Sequence, residues 1–167
     1  MVEDTEGDWF AVVDAAQDPK LRGLIEKSSK WVCLFAGDVP DVLAAAAPHL
    51  VKLVPGEPLF EAWKTDGQGK NWGIMCRSHR PLEILRKHFR RFLQVKMPDG
   101  TVGLFRFYDP RVFNTYMRAA TPEERGPWFE GIGLFSVEDA DSKATHSYVL
   151  AGGQLLDNGR PVAVVAA

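Results

Sequence analysis

Short apolar runs separated by polar turns dominate the first half of the chain. Four of them have the length and composition of buried strands: WFAVVDA (9–15), WVCLF (31–35), HLVKLV (49–54) and WGIMCRS (72–78). Helical patterns lie between them. Because strands that alternate with helices are typical of βαβ units, the pattern predicts an α/β fold with a mixed, largely parallel sheet flanked by helices.

The helical patterns in this half are short. Residues 19–27 begin with a proline suited to a first turn and place Leu21, Leu24 and Ile25 on one stripe. Asp38 is expected to cap an alanine-rich helix that stops before Pro48. PLFEAW (58–63) begins a third helix.

Residues 80–93 form the most periodic helix of the chain. One face is apolar and carries Leu82, Leu85, Phe89 and Phe92. The other face is mostly basic and carries Arg86, Lys87, Arg90 and Arg91. The basic face has three interpretations: a solvated surface, a docking surface for an acidic protein partner, or a nucleic-acid-binding surface.

A β-hairpin and a second helix are predicted after this segment. Pro98-Asp99-Gly100 is turn chemistry between two β-rich runs, the second of which is TVGLFRFY. In that strand, Arg106 and Tyr108 would share one face. Asp109 followed by Pro110 has the sequence of a helix N-cap. The stretch FRFYDPRVF (105–113) is therefore interpreted first as a joint between strand and helix, with Arg106 able to pair with Asp109 or a nearby carboxylate.

The last part of the chain is predicted to be β-rich. WFEGIGLFSV, THSYVLAG and PVAVV are separated by the turn-like segments EDADSK and DNGR. We expect an α/β domain over residues 1–135. Residues 136–167 are expected to complete that domain or to form a small lobe.

Composition fits one compact domain whose charge is unevenly distributed. The chain has 167 residues, is 46% hydrophobic and carries a net charge of -2, which gives no overall attraction to nucleic acid or to an anionic membrane. Six acidic residues and no Lys or Arg precede Lys20, whereas residues 77–96 hold seven Lys or Arg and one Glu. Such segregation suits surfaces that meet different partners.

The sequence is poor in catalytic patterns. HExxH, GxSxG, CxxC, GxGxxG and GxxxxGK[ST] do not occur, and Cys33 and Cys76 lie in apolar runs typical of core cysteines. The four histidines, His49, His79, His88 and His146, are scattered. A cluster of Asp14, His88 and Arg106 can be drawn, but no spacing requires it. A small cytoplasmic α/β enzyme with a polar site around Asp14, Arg106 and Asp109 stays open as an alternative.

We expect a cytoplasmic protein without metal or cofactor. The acidic start MVEDTEGDWF lacks the basic and apolar regions of a signal peptide. No apolar run approaches the roughly 20 residues of a membrane span. No His or second Cys stands at metal-ligand spacing from either cysteine.

The order of several segments resembles the type VI secretion effector chaperone (adaptor) family, whose domain is known as domain of unknown function 4123. The similar segments are FAVVDAAQDPKL, APHLVKL, WGIMCRS, LEILRKHFRRFLQV, the PDG turn and LFRFYDPRVF. The resemblance runs from about residue 9 to residue 135. The chain is shorter after FEGIGLF than many family members.

The resemblance implies a non-enzymatic adaptor that binds a toxic effector protein and helps to load it onto the secretion spike. Its partners would be the effector and the spike protein, with no role for nucleic acid or membrane. The residues expected to form the partner-binding surface are Arg86, Arg90, Arg91, Arg106, Tyr108, Asp109 and Arg111. Whether FRFYDPR is a structural joint or a recognition surface is open at this point.

Overall fold

The computed structural model describes residues 7–35, 37–38 and 40–163. The strands in these ranges are β1 (Asp8–Asp14), β2 (Trp31–Cys33), β3 (Pro48–Leu53), β4 (Gly73–Ser78), β5 (Gln94–Lys96), β6 (Val102–Leu104), β7 (Leu134–Glu138), β8 (Thr145–Ala151), β9 (Gln154–Asp157) and β10 (Arg160–Pro161). The α-helices are α1 (Leu21–Glu26), α2 (Asp41–Ala44), α3 (Pro58–Asp66), α4 (Leu82–Arg90), α5 (Pro110–Ala119) and α6 (Pro122–Arg125). Two 3₁₀ helices span Ala15–Gln17 and Gly126–Phe129.

Eight strands form one sheet in the order β10-β9-β8-β7-β4-β1-β3-β2. Every neighbouring pair in this sheet is antiparallel. The predicted largely parallel sheet is therefore wrong. Strands β8, β9 and β10 continue the same sheet beyond β7.

The error has a topological cause. β1 and β2 are both antiparallel to β3, so they run parallel to each other and are joined through α1. β3 and β4 are both antiparallel to β1, so they are also parallel, and α3 joins them. The connections through α1 and α3 thus link parallel strands, as alternation predicts, whereas α2 joins the antiparallel neighbours β2 and β3. Each parallel pair is separated by one strand that runs the opposite way, and alternation along the chain does not predict that neighbour.

β1 is buried from Phe10 to Asp14 because both faces of the sheet are covered there. Phe10 and Val12 pack into a core with side chains of α4 and α5. Ala11 and Val13 face the opposite core, which α1 and α3 complete. Two separate apolar layers therefore enclose the centre of the sheet, and Asp14 ends the strand between them.

The predicted basic helix is confirmed as α4. Leu82, Leu85 and Phe89 are buried, as the periodicity indicates. Phe92 lies beyond the end of the helix, where its ring stacks on Trp128 with centroids 3.9 Å apart. The alanine-rich helix differs from expectation, because α2 begins at Asp41 after Pro40 and Asp38 is not its cap.

The predicted hairpin is confirmed, although its second strand is shorter than expected. β5 and β6 form a two-stranded sheet, and Gly100 in the turn has a φ of 87°, which favours glycine. β6 ends at Leu104, so Arg106 and Tyr108 are not strand residues. The chain turns there into α5, which begins at Pro110.

Two earlier expectations fall partly outside the described residues. The acidic segment 1–6 and the end of PVAVV lie beyond them. Within the described part of the chain, no helix is long and apolar enough to cross a membrane.

Candidate functional site

Asp14 is a buried carboxylate at the end of the central strand. It is 1% exposed and serves as the cap of the following 3₁₀ helix. Its carboxylate accepts hydrogen bonds from the Ala16 amide at 3.2 Å and from Gln17 Nε2 at 3.0 Å. The third donor is Arg106 Nη2, at 2.5 Å. A buried carboxylate needs such partners, because leaving a charge unpaired in the interior is costly.

Arg106 reaches this carboxylate from the segment between β6 and α5. Its side chain is 47% exposed, whereas that of Asp14 is 2% exposed. The hydrogen bond to Asp14 raises the pKa of Arg106, so the guanidinium is charged at any physiological pH. The same guanidinium lies over the Tyr108 ring, 5.9 Å from its centroid. Arg106 is therefore held in one orientation while part of it faces solvent.

Asp109 combines two roles at the start of α5. As the N-cap, its carboxylate accepts from the Arg111 amide at 2.9 Å, and Pro110 follows at the first helical position. It also accepts from Arg111 Nε at 3.0 Å and from Arg111 Nη2 at 2.7 Å. Burial raises the pKa of Asp109, but the hydrogen bonds from Arg111 outweigh it and the pKa is lowered. The partner of Asp109 is thus Arg111, while Arg106 pairs with Asp14.

Tyr108 lies between the two ion pairs. Tyr108 is 3% exposed, and its ring packs edge to face against the Phe107 ring. Burial and the charge of Asp14 raise the pKa of Tyr108, so its hydroxyl stays protonated. We call Asp14, Arg106, Tyr108, Asp109 and Arg111 the arginine cluster.

The arginine cluster presents two anchored guanidinium groups. Each carboxylate is almost completely buried and each arginine is about half exposed, at 47% for Arg106 and 53% for Arg111. A guanidinium has five N–H donors in a rigid plane, and the buried carboxylates use only some of them. The remaining donors suit carboxylate or carbonyl groups of a partner. The two acids balance the two arginines, so the cluster favours hydrogen-bond recognition over a strong net field.

His88 does not join Asp14 and Arg106. Its Nε2 lies 3.0 Å from the Trp128 carbonyl oxygen, and its Nδ1 lies 3.1 Å from Arg91 Nη2. Burial lowers the pKa of His88, which favours the neutral ring with Nε2–H donating to that carbonyl. His88 therefore connects α4 to the 3₁₀ helix Gly126–Phe129, and the enzyme-like grouping drawn from the sequence does not form.

The basic residues of α4 differ from one another. Arg91 donates to the Glu130 carboxylate at 3.1 Å. Arg86 is partly buried, and its Nε makes no hydrogen bond within the described part of the chain. Arg90 and Lys87 form no ion pair with any described residue. Arg86 forms no ion pair with a described residue either, but its Nε is buried, so the basic face is less uniform than the sequence predicts.

Two surface cavities lie away from the arginine cluster. The larger, of about 930 Å³, is a groove on the α3 side of the sheet with Trp9, Phe60 and Trp63 in its wall. The smaller, of about 500 Å³, lies beside Arg118 and Arg160. No residue of the arginine cluster lines either cavity. The polar site proposed for an enzyme therefore does not coincide with either of these cavities.

Sequence reasoning missed a second polar cluster, around His146. Its Nδ1 lies 2.6 Å from an Asp157 oxygen and its Nε2 lies 2.7 Å from an Asp139 oxygen. Arg118 also reaches Asp157, at 3.0 Å. The two aspartates come from EDADSK and DNGR, which were interpreted only as turns. Their approach to His146 depends on the register of β7, β8 and β9, which no local pattern reveals.

The remaining candidate groups are structural. Cys76 is buried, which raises the pKa of its thiol, and Cys33 is half-buried. Neither forms a disulfide. Among residues 7–35, 37–38 and 40–163, no group of three or more His, Cys, Asp or Glu side chains could hold a metal ion.

A family model matches most of the chain. The model is described as a domain of unknown function (DUF4123) and covers residues 9–126. The matched span includes the arginine cluster, α4 and the β5–β6 hairpin, whereas β7 to β10 lie beyond it. No curated protein and no solved structure matches the chain.

Proposed function

Because the chain belongs to the family described as a domain of unknown function (DUF4123), we propose that it is a non-enzymatic adaptor of type VI secretion. In this role it binds a toxic effector protein in the cytoplasm and helps to load it onto the secretion spike. The proposal is supported by the resemblance of its segments to the effector chaperones and by the character of the arginine cluster.

The arginine cluster is the observation that carries the proposal. Arg106 and Arg111 are partly exposed and are anchored by carboxylates that are almost completely buried. Anchoring restricts the side chains before a partner arrives, which reduces the conformational entropy lost on binding. Planar, oriented guanidinium groups favour geometrically specific contacts with carboxylates and backbone carbonyls. An adaptor must hold its cargo in a defined register, and such groups suit that task.

Charge on α4 supports the same role in a different way. Lys87 is exposed and Arg90 is half-buried, and both lie outside the ion pairs of the described residues. Unpaired charges at the edge of a binding surface accelerate association with an oppositely charged partner and disfavour like-charged proteins. We assign them to steering and the arginine cluster to recognition.

The test is a pull-down with the tagged chain from cells that carry a complete secretion gene cluster. The wild-type chain is expected to recover an effector and a spike protein. Arg111→Ala should reduce recovery of at least one of them, because Asp109 still caps α5 in that variant. Lys64→Ala is the control, since Lys64 pairs with Glu61 on the exposed surface of α3. Recovery of neither partner by the wild-type chain would overturn the proposal.

A further inference from the structure

The β5–β6 hairpin is unusual because it exposes apolar side chains. Val95 is 42% exposed, Met97 44%, Val102 63% and Leu104 51%. In the described part of the chain, the other exposed large hydrophobic residues are Leu43 and Ile84. We call residues 94–104 the hairpin arm. Concentrated exposure of this kind marks a surface that another molecule covers.

Neither face of the hairpin arm is a core face. Val102 lies opposite Lys96, and Leu104 lies opposite Gln94, so these four residues share one face. Val95 lies opposite Gly103 on the other face. Met97 is on that face too, since a Cβ added to Gly103 would lie 3.5 Å from its sulfur. A two-stranded hairpin with both faces in water is only marginally stable, so a third strand would stabilise it.

The outer edge of β6 has backbone groups available for such a strand. Met97 N donates to Thr101 O at 2.7 Å, and Phe105 N donates to Leu93 O at 2.7 Å. Because inward and outward groups alternate along an antiparallel strand, the N–H and C=O groups of Val102 and Leu104 point away from β5. No described strand pairs with this edge. An open strand edge is a template for pairing with another chain.

Charge around the hairpin arm selects the partner. Lys96 lies on the arm, and Lys87 and Arg90 lie on α4, which ends just before it. Asp99 is the acidic residue of the arm, and its carboxylate accepts hydrogen bonds from the Thr101 amide and hydroxyl. A second copy of this chain would bring the same basic residues together, which is unfavourable. A helix would leave the strand edge without hydrogen-bond partners.

We propose that the β6 edge of the hairpin arm binds an extended segment of a partner protein in which acidic and apolar residues alternate. The segment adds as a third strand, its backbone pairing with Val102 and Leu104 and its acidic side chains lying on the face that carries Lys96. The proposal deepens the adaptor function and rests on it only for identifying the partner as the effector.

The edge can be tested without any secretion partner. The probe is a blocked ten-residue peptide of alternating glutamate and valine, and its lysine–valine counterpart is the control. The glutamate peptide should bind saturably, at least tenfold more tightly than the lysine peptide, and should slow hydrogen exchange at the Val102 and Leu104 amides. Absence of saturable binding, or protection elsewhere than the arm, would overturn the proposal.

Variants separate strand pairing from simple apolar contact. Leu104→Pro removes an outward-pointing amide. An edge strand tolerates proline at such a position, and the variant should bind the glutamate peptide at least tenfold more weakly than the wild-type chain. Leu104→Ala keeps the amide and should reduce the affinity for the glutamate peptide only a few-fold. Leu43→Ala on α2 should leave that affinity unchanged. If Leu104→Pro unfolds the arm, Val102→Pro provides the same test, because it removes the other outward amide of β6. Equal loss in Leu104→Ala and Leu104→Pro would reject strand pairing.

Two further results distinguish this inference from the adaptor function. If the peptide binds at the arm but the pull-down recovers no secretion partner, the adaptor function fails and the strand edge stands. If the pull-down succeeds and Leu104→Pro and Val102→Pro recover the effector normally, the edge proposal fails alone. A concentration-dependent dimer that Leu104→Pro abolishes would also overturn it, since a second copy would then cover the edge.

Discussion

Arg106 and Asp14 are 92 positions apart in the chain, and their side chains meet with Nη2 and Oδ2 2.5 Å apart. The pair joins the end of the central strand to the segment that leads into α5. It is asymmetric, because Asp14 is buried and Arg106 is half exposed. Loss of Asp14 would therefore mainly affect the interior of the fold, whereas loss of Arg106 would also change the exposed surface.

Arg106→Ala is expected to destabilise the protein by about 1–2 kcal/mol, because the buried Asp14 carboxylate loses a charged donor while Gln17 and Ala16 still support it. The estimate is reduced for the partial exposure of Arg106. Lys64→Ala, which breaks an exposed pair with Glu61 on α3, should cost about 0.5 kcal/mol or less. Urea unfolding of the two variants gives the comparison. Equal small losses in the free energy of unfolding would show that the buried Asp14 carboxylate does not need Arg106 for its stabilisation.

Asp109→Ala is expected to cost about 1 kcal/mol, because α5 loses its N-cap. Asp109→Asn and Asp109→Ser can still accept from the Arg111 amide, so they should be less destabilising than alanine. They lose the charge that orients Arg111, and effector binding should therefore fall in all three variants. Thermal melts beside binding measurements separate the two roles. A silent Asp109→Ala in both assays would contradict this assignment.

Charge reversal on α4 should affect binding differently at each position. Arg90→Glu and Lys87→Glu should leave stability nearly unchanged, because neither residue has an ion-pair partner among the described residues, and should slow association with the effector at low salt. Arg86→Glu should destabilise the fold, since Arg86, unlike Arg90, has a fully buried Nε and a carboxylate would be placed close to this interior position. Unchanged association rates would identify the α4 face as a solvated surface. Duplex DNA binding with a steep salt dependence would instead favour a nucleic-acid-binding role.

Acid should weaken the contact between Asp139 and His146. The hydrogen bond from His146, together with the Asp141 and Ser142 amides, lowers the pKa of Asp139 to about 2, from an ordinary value of 3.8. A carboxylate with a lowered folded-state pKa stabilises the protein above pH 3.8, and this contribution is lost as the pH falls towards about 2. Asp139→Asn should therefore flatten the acid dependence of the urea midpoint in that window.

Asp141→Asn is the control for that measurement. Asp141 lies in the same loop, and its carboxylate accepts no hydrogen bond from a described residue, whereas Asp139 contacts His146 at 2.7 Å. If both variants flatten the acid dependence equally, the effect reflects the charge of the loop and not the contact with His146.

Local features were predictable from the sequence, whereas contacts between distant segments were not. The apolar face of α4, the PDG turn and the Asp109 cap are each encoded within a few residues, and all three are present. The neighbours of β1, the partner of Arg106 and the surroundings of His146 depend on how distant strands pair. Alternation of strands and helices agrees with the parallel relation of β1 to β2 and of β3 to β4, but the oppositely directed strand between the members of each pair leaves no trace in that alternation.

The interior position of β1 in the sheet also bears on the order of folding during synthesis. Both of its neighbours, β3 and β4, follow it in the chain, and β4 ends only at Ser78. The apolar run from Phe10 to Val13 therefore lacks one of its two neighbouring strands until Ser78 has emerged from the ribosome. Non-local pairing of this kind slows folding and prolongs the exposure of aggregation-prone segments. A protein proposed to escort other chains thus passes through a stage in which its own nascent chain would benefit from an escort.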